Sequence, residues 1–144
     1  MRFLLVLATL LTAAILLTAA GPSGVVYVGH DKVGAALAKG GSLVSAPDLL
    51  VSGSHRDKAG QVEVHDKETD VIYIIEGEAT FVTGGTAIGL KSTKAGQSLG
   101  TDIKDGEDHH MTKGDVIVVP AGTPHWFKEV PKSVNYYVVK VLKP

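Results

Sequence analysis

The 144 residues of the chain leave room for one domain with a sizeable core. Its 14 basic and 15 acidic residues give a formal net charge of −1, which excludes a strong electrostatic attraction to nucleic acid or to an acidic membrane surface. The sequence contains no cysteine, which excludes a disulfide framework, a thiolate metal site, a thiol nucleophile and a lipid-modified cysteine.

The first predicted element is a signal peptide over residues 1–20. Arg2 supplies a positive end, residues 3–17 form an apolar run interrupted only by threonines, and small residues at 18–20 suit cleavage. An uncleaved membrane anchor is the alternative, because the apolar run approaches the ~20 residues that cross a bilayer. The shortness of the run and the Gly-Pro pair after it favour cleavage. We therefore expect a periplasmic or secreted protein that has no membrane contact after cleavage.

Residues 21–41 are predicted to form an N-terminal arm and a short helix. The apolar residues 25–28 predict a first strand, and residues 32–39 predict the helix. Asp31 is expected to cap the start of this helix, and Gly40 to end it. Asp31 could instead be a metal ligand, but an aspartate directly before a helix is far more often a cap.

The remaining residues, 42–144, are predicted to form one β domain. Short apolar segments alternate with turn residues at intervals of about 6 to 12 residues, which is typical of small sandwiches and barrels. Residues 91–113 lack periodicity and predict a long loop, and a loop of this length is usually functional or mobile. The expected strands cover residues 42–46, 49–55, 61–65, 71–76, 79–83, 86–90, 115–119, 125–130 and 134–142.

Residues 114–125, with the sequence GDVIVVPAGTPH, are the most informative segment. The β-branched residues 116–119 predict a buried strand, because branched side chains pack well on a pleated surface. Pro120 cannot donate to a sheet and Gly122 can adopt a positive φ, so the chain must turn sharply there. The turn brings His125 to a fixed position at the start of the next strand.

Three more polar residues are expected to lie near His125. Two-residue alternation puts Glu63 and His65 on the same face of one strand, and Asp70 opens the next strand. Burying two imidazoles and two carboxylates without a partner would cost roughly several kcal/mol for each group, so a shared divalent cation is the simplest explanation. Nitrogen and oxygen ligands without sulfur suit iron, manganese, nickel or zinc.

Both segments carry a family resemblance. Residues 114–125 resemble the second motif of the cupin superfamily, a glycine, five residues, Pro-x-Gly, two residues and a histidine. Residues 63–77 resemble the first motif, with its second histidine at His65, its acid at Asp70 and its glycine at Gly77.

The first motif departs from the family pattern at its first histidine, where this chain has Glu63, and Glu129 stands where an asparagine is expected after the second motif. Together with Asp70 in place of glutamate, Glu63 shifts the ligand set toward hard oxygen donors. The resemblance implies an all-β fold, the cupin-type double-stranded β-helix or jelly-roll barrel, here with one short N-terminal helix. It also implies a metal site at one end of the barrel and a homodimer.

Two ligand arrangements follow from these residues. In one, Glu63, His65, Asp70 and His125 all bind the ion and leave two positions open. In the other, the two histidines and one carboxylate form the facial triad of non-haem iron oxygenases, and the other carboxylate acts as a base. A cupin that has lost its metal, with the four residues joined by hydrogen bonds, is a third possibility.

Several other residues are candidates for a smaller role. His109 and His110 could close over the site as acid or base, although a solvated pair is the more ordinary interpretation. Arg56 could hold a substrate carboxylate if it faces inward, or could pair with a nearby aspartate on the surface. Three aromatic residues are expected to line the interior wall: Phe127, Tyr136 and Tyr137.

Three classes of function fit this sequence. The first is a metal-dependent oxygenase or isomerase acting on a small oxygen-rich molecule, with the metal as a Lewis acid or as an activator of dioxygen. The second is a protein that binds a small molecule through the same ion without catalysis. The third is an interaction domain, which requires that the metal be absent. The sequence does not identify catalytic residues or a substrate, because specificity in such barrels comes from wall residues and loop lengths.

Overall fold

A computed structural model describes residues 21–143 of the chain. The predicted signal peptide therefore lies outside the described residues. Between residues 21 and 143, no helix has the length and apolar character needed to cross a membrane.

One helix and a series of short strands make up the described chain. The helix is α1 (His30–Lys39). The strands are β1 (Gly41–Ser45), β2 (Leu49–Arg56), β3 (Val62–His65), β4 (Glu68–Thr83), β5 (Thr86–Ile88), β6 (Lys91–Lys94), β7 (Gln97–Gly100), β8 (Asp102–Lys104), β9 (Glu107–Thr112), β10 (Val116–Val119), β11 (His125–Glu129) and β12 (Val134–Leu142).

The long strand β4 belongs to both layers of the fold. Its first half pairs with β12 and β10, and its second half pairs with β9 and β11, all antiparallel. The change of partners occurs around Gly77, which has a φ of +83° and so adopts a conformation that favours glycine. β1 and β2 extend the first layer beyond β12, and β3, β7 and β6 extend the second layer beyond β11. The result is the predicted all-β double-stranded β-helix with one short helix.

The core lies between these two layers. Ile72 and Ile74 from the first half of β4 and Phe81 from its second half are buried, and Phe127 packs edge-on against Phe81 with 4.7 Å between ring centroids. Aliphatic side chains and three aromatic rings make up this core, and His65, Asp70 and His125 are buried polar residues beside it.

Helix α1 packs on the outer face of the first layer. Ala36, the buried residue of the helix, lies against Gly53 of β2, where an added Cβ would be 2.9 Å from the Ala36 side chain. The absence of a side chain at Gly53 therefore allows the helix to approach the sheet closely.

The N-terminal predictions need two corrections. Residues 25–28 do not form a strand, because their backbone pairs with no strand between residues 21 and 143. Asp31 does not cap the helix, which begins at His30, two residues before the predicted start, with Gly29 as its N-cap and no side-chain hydrogen bond there. The predicted helix end at Gly40 is confirmed, since Gly40 has a φ of +77° and its N–H bonds to the carbonyl of Ala36.

The strand predictions also need corrections. Residues 71–83 do not form two strands separated by a turn, because the glycine bends β4 without interrupting its pairing. Residues 91–113 are not an irregular loop, since β6, β7, β8 and β9 lie there. Their mostly polar, exposed side chains hide the two-residue apolar alternation. β10 is buried on one face only, with Val116 and Val118 exposed.

Candidate metal centre

The turn predicted from residues 114–125 links the two motifs directly. Gly122 has a φ of +81°, and its N–H donates to the backbone carbonyl of His65 at 2.7 Å. The first residue of β11, His125, pairs with Glu63 of β3. Local turn chemistry and strand pairing therefore bring the two segments to the same place in the fold.

All four residues predicted as metal ligands lie in one cluster. The side chains of His65, Asp70 and His125 are buried, and that of Glu63 is 32% exposed. The imidazoles of His65 and His125 have centroids 5.1 Å apart, and Nε2 of His65 is 3.3 Å from Oε2 of Glu63. Oδ2 of Asp70 is 3.6 Å from Nε2 of His65 and 3.7 Å from Nε2 of His125.

The cluster also contains Lys140 and Glu68, which the sequence interpretation missed. Nζ of Lys140 lies 2.9 and 2.8 Å from the two oxygens of Asp70, 2.9 Å from Oε2 of Glu68 and 2.9 Å from Nε2 of His65. Alternation along β12 was the available signal, because Lys140 follows the inward-facing residues Tyr136 and Val138 at steps of two.

His125 has the protonation state that a metal ligand needs. Its Nδ1 is 3.0 Å from the carbonyl oxygen of Thr123, and because a carbonyl can only accept, Nδ1 carries the proton. In the neutral imidazole, Nε2 is then the unprotonated nitrogen, and it faces the cluster, 3.7 Å from Oδ2 of Asp70. Burial lowers the pKa of His125, which favours this neutral form.

Nε2 of His65 has two partners that require opposite protonation states. The ammonium of Lys140 can only donate to it, whereas the carboxylate of Glu63 can only accept from it. Hydrogen bonding to His65 is the largest cause of a lowered pKa at Glu63; burial opposes this shift, and interaction with the protonated form of His125 adds to it.

The basic and acidic groups around Lys140 stabilise each other's charged forms. Burial by itself lowers the pKa of Lys140, but hydrogen bonds to Asp70 and Glu68 and their negative charges outweigh burial, so the pKa is raised. For Glu68, burial opposes ionisation, but the hydrogen bond and charge of Lys140 leave its pKa lowered. The ammonium therefore provides a positive charge at this end of the cluster.

The residues fit a divalent cation. One donor atom each from Glu63, His65 and His125 lie within 4.8 Å of one another, and the same holds for His65, Glu68 and Asp70. Two ligands on opposite sides of an ion at about 2.1 Å each are about 4.2 Å apart, so only a small movement would be needed. Lys140 contacts all three residues of the second group but only His65 in the first, which leaves Glu63, His65 and His125 as the more accessible set of donors.

A small cavity adjoins the cluster. Its volume is about 70 Å³, and its lining includes Glu63, His125, Lys140 and Arg56. By the space that one water needs, it has room for a molecule of roughly five or six non-hydrogen atoms. A ligand in this cavity would touch the potential metal ligands directly.

Three other sequence predictions are resolved here. His109 bonds to Thr83 and His110 lies 3.4 Å from Glu78, so both lie on β9 away from the cavity. Tyr136 is buried in the core as expected. Tyr137 is not an interior wall residue, because the adjacent position on β12 points to the opposite face, where Tyr137 lies beside Tyr73.

The fold and the motifs together define a cupin domain with a His/Glu/Asp cluster that could hold a metal. The sequence profile of the Cupin family matches residues 57–144, and the chain belongs to this family. Comparison with curated protein sequences found no match.

Solved structures resemble the fold. A conserved protein of unknown function from Streptococcus pyogenes is 21% identical with a TM-score of 0.51, covering 72% of each chain. The cupin domain of Cnp3 from Schizosaccharomyces pombe is 15% identical with a TM-score of 0.52, covering 72% of this chain and 59% of that one. A Klebsiella pneumoniae protein with a double-stranded β-helix domain is 16% identical with a TM-score of 0.50, covering 70% and 69%. At these identities the likeness concerns the fold alone.

Proposed function

We propose that this cupin binds a divalent cation through Glu63, His65 and His125 and acts on a small oxygen-rich molecule in the adjoining cavity. The observation that carries the proposal is the convergence of these three donors, two of them buried imidazoles, beside a cavity. It favours the arrangement of two histidines and one carboxylate. Both oxygens of Asp70 bond to Lys140, so Asp70 would become a ligand only after that ammonium moved.

The reaction we propose is that of a metal-dependent oxygenase or isomerase. A bound ion of this kind supplies Lewis acidity or a site for dioxygen. The chain itself supplies a buried neutral imidazole at His125, a carboxylate at Glu63 and an ammonium at Lys140, which can hold or transfer a proton next to the ligand. The alternative is a binding protein without catalysis, which the same cluster supports equally well until turnover is measured.

Metal analysis of the purified protein tests the proposal. Wild type is expected to retain about one equivalent of iron, manganese, nickel or zinc, and His65→Ala and His125→Ala are expected to lose it. A wild type that retains no metal, and binds none when dialysed against each ion, would show that the cluster is only a network of ion pairs. Oxygen uptake or product formation by the loaded protein then separates an enzyme from a binding protein.

The position of Lys140 makes a sharper test possible. A cation bound to Nε2 of His65 must displace the ammonium of Lys140, which lies 2.9 Å from that atom. Lys140→Met is therefore expected to raise the affinity for Zn²⁺ or Mn²⁺ by at least about tenfold, since it removes a competing charge. Lys132→Met removes one exposed charge elsewhere and is expected to leave the affinity unchanged. Equal affinities in Lys140→Met and wild type would contradict competition at His65.

We also propose that the protein is exported and forms a homodimer. Export is supported by residues 1–20, and a mature protein that begins at Gly21 by mass spectrometry would demonstrate cleavage. Dimerisation is supported by an exposed apolar surface on the outer face of the first layer.

A further inference from the structure

We propose that the cavity binds a small carboxylate, with its negative charge held by Arg56 and a second oxygen directed toward the metal ligands. The role of Arg56 stands on the geometry of the cavity alone. The position of the second oxygen rests on the proposed function.

Strand register directs Arg56 into the interior. Arg56, the last residue of β2, pairs with Val134 of β12, which is fully buried. Directly paired residues point to the same face of a sheet, so Arg56 points inward at the end of β12 opposite from Lys140. The two cations thus reach one cavity from different ends.

Two contacts fix the guanidinium of Arg56 in place. Its Cζ lies 5.1 Å from the centroid of the Phe127 ring, a cation–π distance. Gly60 also lies against the guanidinium, since an added Cβ there would be 2.7 Å from Nη1 of Arg56. Gly60 is itself bonded to β11, since its N–H donates to the carbonyl of Phe127 at 2.9 Å and its carbonyl accepts from the indole of Trp126 at 2.8 Å. A guanidinium held in this way has little conformational freedom left to lose when it binds an anion.

Part of the hydrogen-bonding capacity of Arg56 is not used within the part of the chain that the structure describes. Its Nε is buried and has no hydrogen-bond partner, and among residues 21–143 no carboxylate lies within 4.0 Å of its guanidinium. The surface ion pair with a nearby aspartate, considered from the sequence, is therefore not formed. A buried donor without a partner is costly, and an anion in the cavity would satisfy it.

The guanidinium of Arg56, unpartnered within residues 21–143, points to an anionic ligand, although Arg56 and Lys140 are matched in number by Glu63 and Asp70 in the cavity lining. The other cation of the cavity, Lys140, is already paired with Asp70 and Glu68. Arg56 is the cation of the cavity that has no acidic partner among the described residues, and its planar fork matches a carboxylate. The cavity of about 70 Å³ restricts the ligand to a short acid, and the donors at its other end favour one with a hydroxyl or oxo oxygen.

Calorimetric titration with lactate tests the proposal. Wild type is expected to bind lactate, and to bind lactamide, its uncharged analogue, at least about tenfold more weakly, because charge-assisted bonds to the guanidinium are lost. Arg56→Met is expected to weaken lactate binding by at least about tenfold, and Lys58→Met, at an exposed lysine two residues away, is expected to bind as wild type does. Each protein is also titrated with propionate, which lacks the second oxygen of lactate. Comparing lactate with propionate in the presence and absence of Mn²⁺ shows whether that oxygen reaches the ion.

Each outcome bears on the proposal in a defined way. Equal binding of lactate and lactamide, equal affinities in Arg56→Met and wild type, or no lactate binding at about 10 mM would overturn it. Arg56→Met is expected to keep its Mn²⁺ affinity within about twofold of wild type. If wild type binds lactate through Arg56 but binds no Mn²⁺, the carboxylate site stands and the proposed metal function is rejected. If Arg56→Met does not fold, Arg56→Lys and the comparison of lactate with lactamide on wild type decide the question.

Discussion

At the scale of single residues, one ammonium contacts two carboxylates and an imidazole within the cluster. Lys140 contacts Asp70, Glu68 and His65 at 2.8 to 2.9 Å, in a place where an uncompensated carboxylate would be costly. Buried acids and imidazoles need a positive charge among them, in this chain as in a cupin that binds a metal. Here the protein provides part of that charge itself, which is why we expect metal and lysine to compete.

The lowered pKa of Glu63 predicts acid sensitivity of the folded state. Its folded pKa is below its ordinary value of 4.5, so the unfolded chain takes up the proton first and the free energy of unfolding falls as the pH drops below about 4.5. Glu63→Gln is expected to reduce this loss between pH 5 and pH 3, and each unit of the pKa difference corresponds to about 1.4 kcal/mol. Urea unfolding at pH 7, 5, 4 and 3 measures it.

Two features make this measurement specific. His125 also has a lowered pKa, so the free energy of unfolding falls as the pH drops below 6.5; because Glu63 partly offsets that shift, the comparison is made in a His125→Gln background. Glu107→Gln removes an exposed carboxylate of β9 outside the cluster and serves as the matched control. If Glu63→Gln and Glu107→Gln change the acid limb equally, Glu63 is not stabilised as an anion by the cluster.

At the scale of elements, β4 joins the two layers because Gly77 permits a bend within a continuous strand. An added Cβ at Gly77 would collide with the backbone carbonyl oxygen of Ser133, at a φ of +83° that side chains already disfavour. Gly84 has a similar φ of +73° but open space around the added Cβ.

These two glycines separate conformational strain from steric collision. Gly84→Ala is expected to cost about 1 kcal/mol of unfolding free energy from strain alone. Gly77→Ala is expected to cost at least about 2 kcal/mol more, because rigid backbone must move as well. Urea unfolding of both variants at pH 7 compares the two values, and similar costs would mean that the bend can relax without disturbing the pairing of β12.

At the scale of the whole molecule, an apolar surface remains uncovered on the outer face of the first layer. Tyr73, Val116, Val118 and Val141 are between 44% and 61% exposed, and they lie on the adjacent strands β4, β10 and β12. Grouped exposed apolar residues of this kind mark interfaces. A second copy of the chain is the partner that we propose, through an interface with twofold symmetry.

Light scattering coupled to size-exclusion chromatography tests this dimer. Val118→Lys is expected to convert it to a monomer, with a rise in Kd of at least about a hundredfold, because burying an unpaired charge costs about 3 kcal/mol or more. Ile88 is an apolar residue of β5 that is 44% exposed and lies outside this surface, so Ile88→Lys is expected to leave the dimer intact. A wild-type monomer at all concentrations would contradict the proposal.

Most of the fold was predictable because its signals are local. The turn after β10 depends on Pro120 and Gly122, and the positions of Glu63, His65 and His125 follow from two-residue alternation on either side of turns. Predictions failed where one local signal had two structural meanings. The glycine of β4 produced a bend within one strand instead of a turn between two, and polar segments after residue 90 formed exposed strands whose side chains show no apolar pattern.

The sequence by itself determined the family of the fold and four residues of the cluster, since both depend on spacings within short segments. The tertiary structure alone decided that Lys140 lies against Asp70, 70 residues earlier in the chain, and that Arg56 enters the cavity without an acidic partner among the described residues. Such relations depend on the register between strands that are distant in sequence, and register is fixed only when the layers pack together.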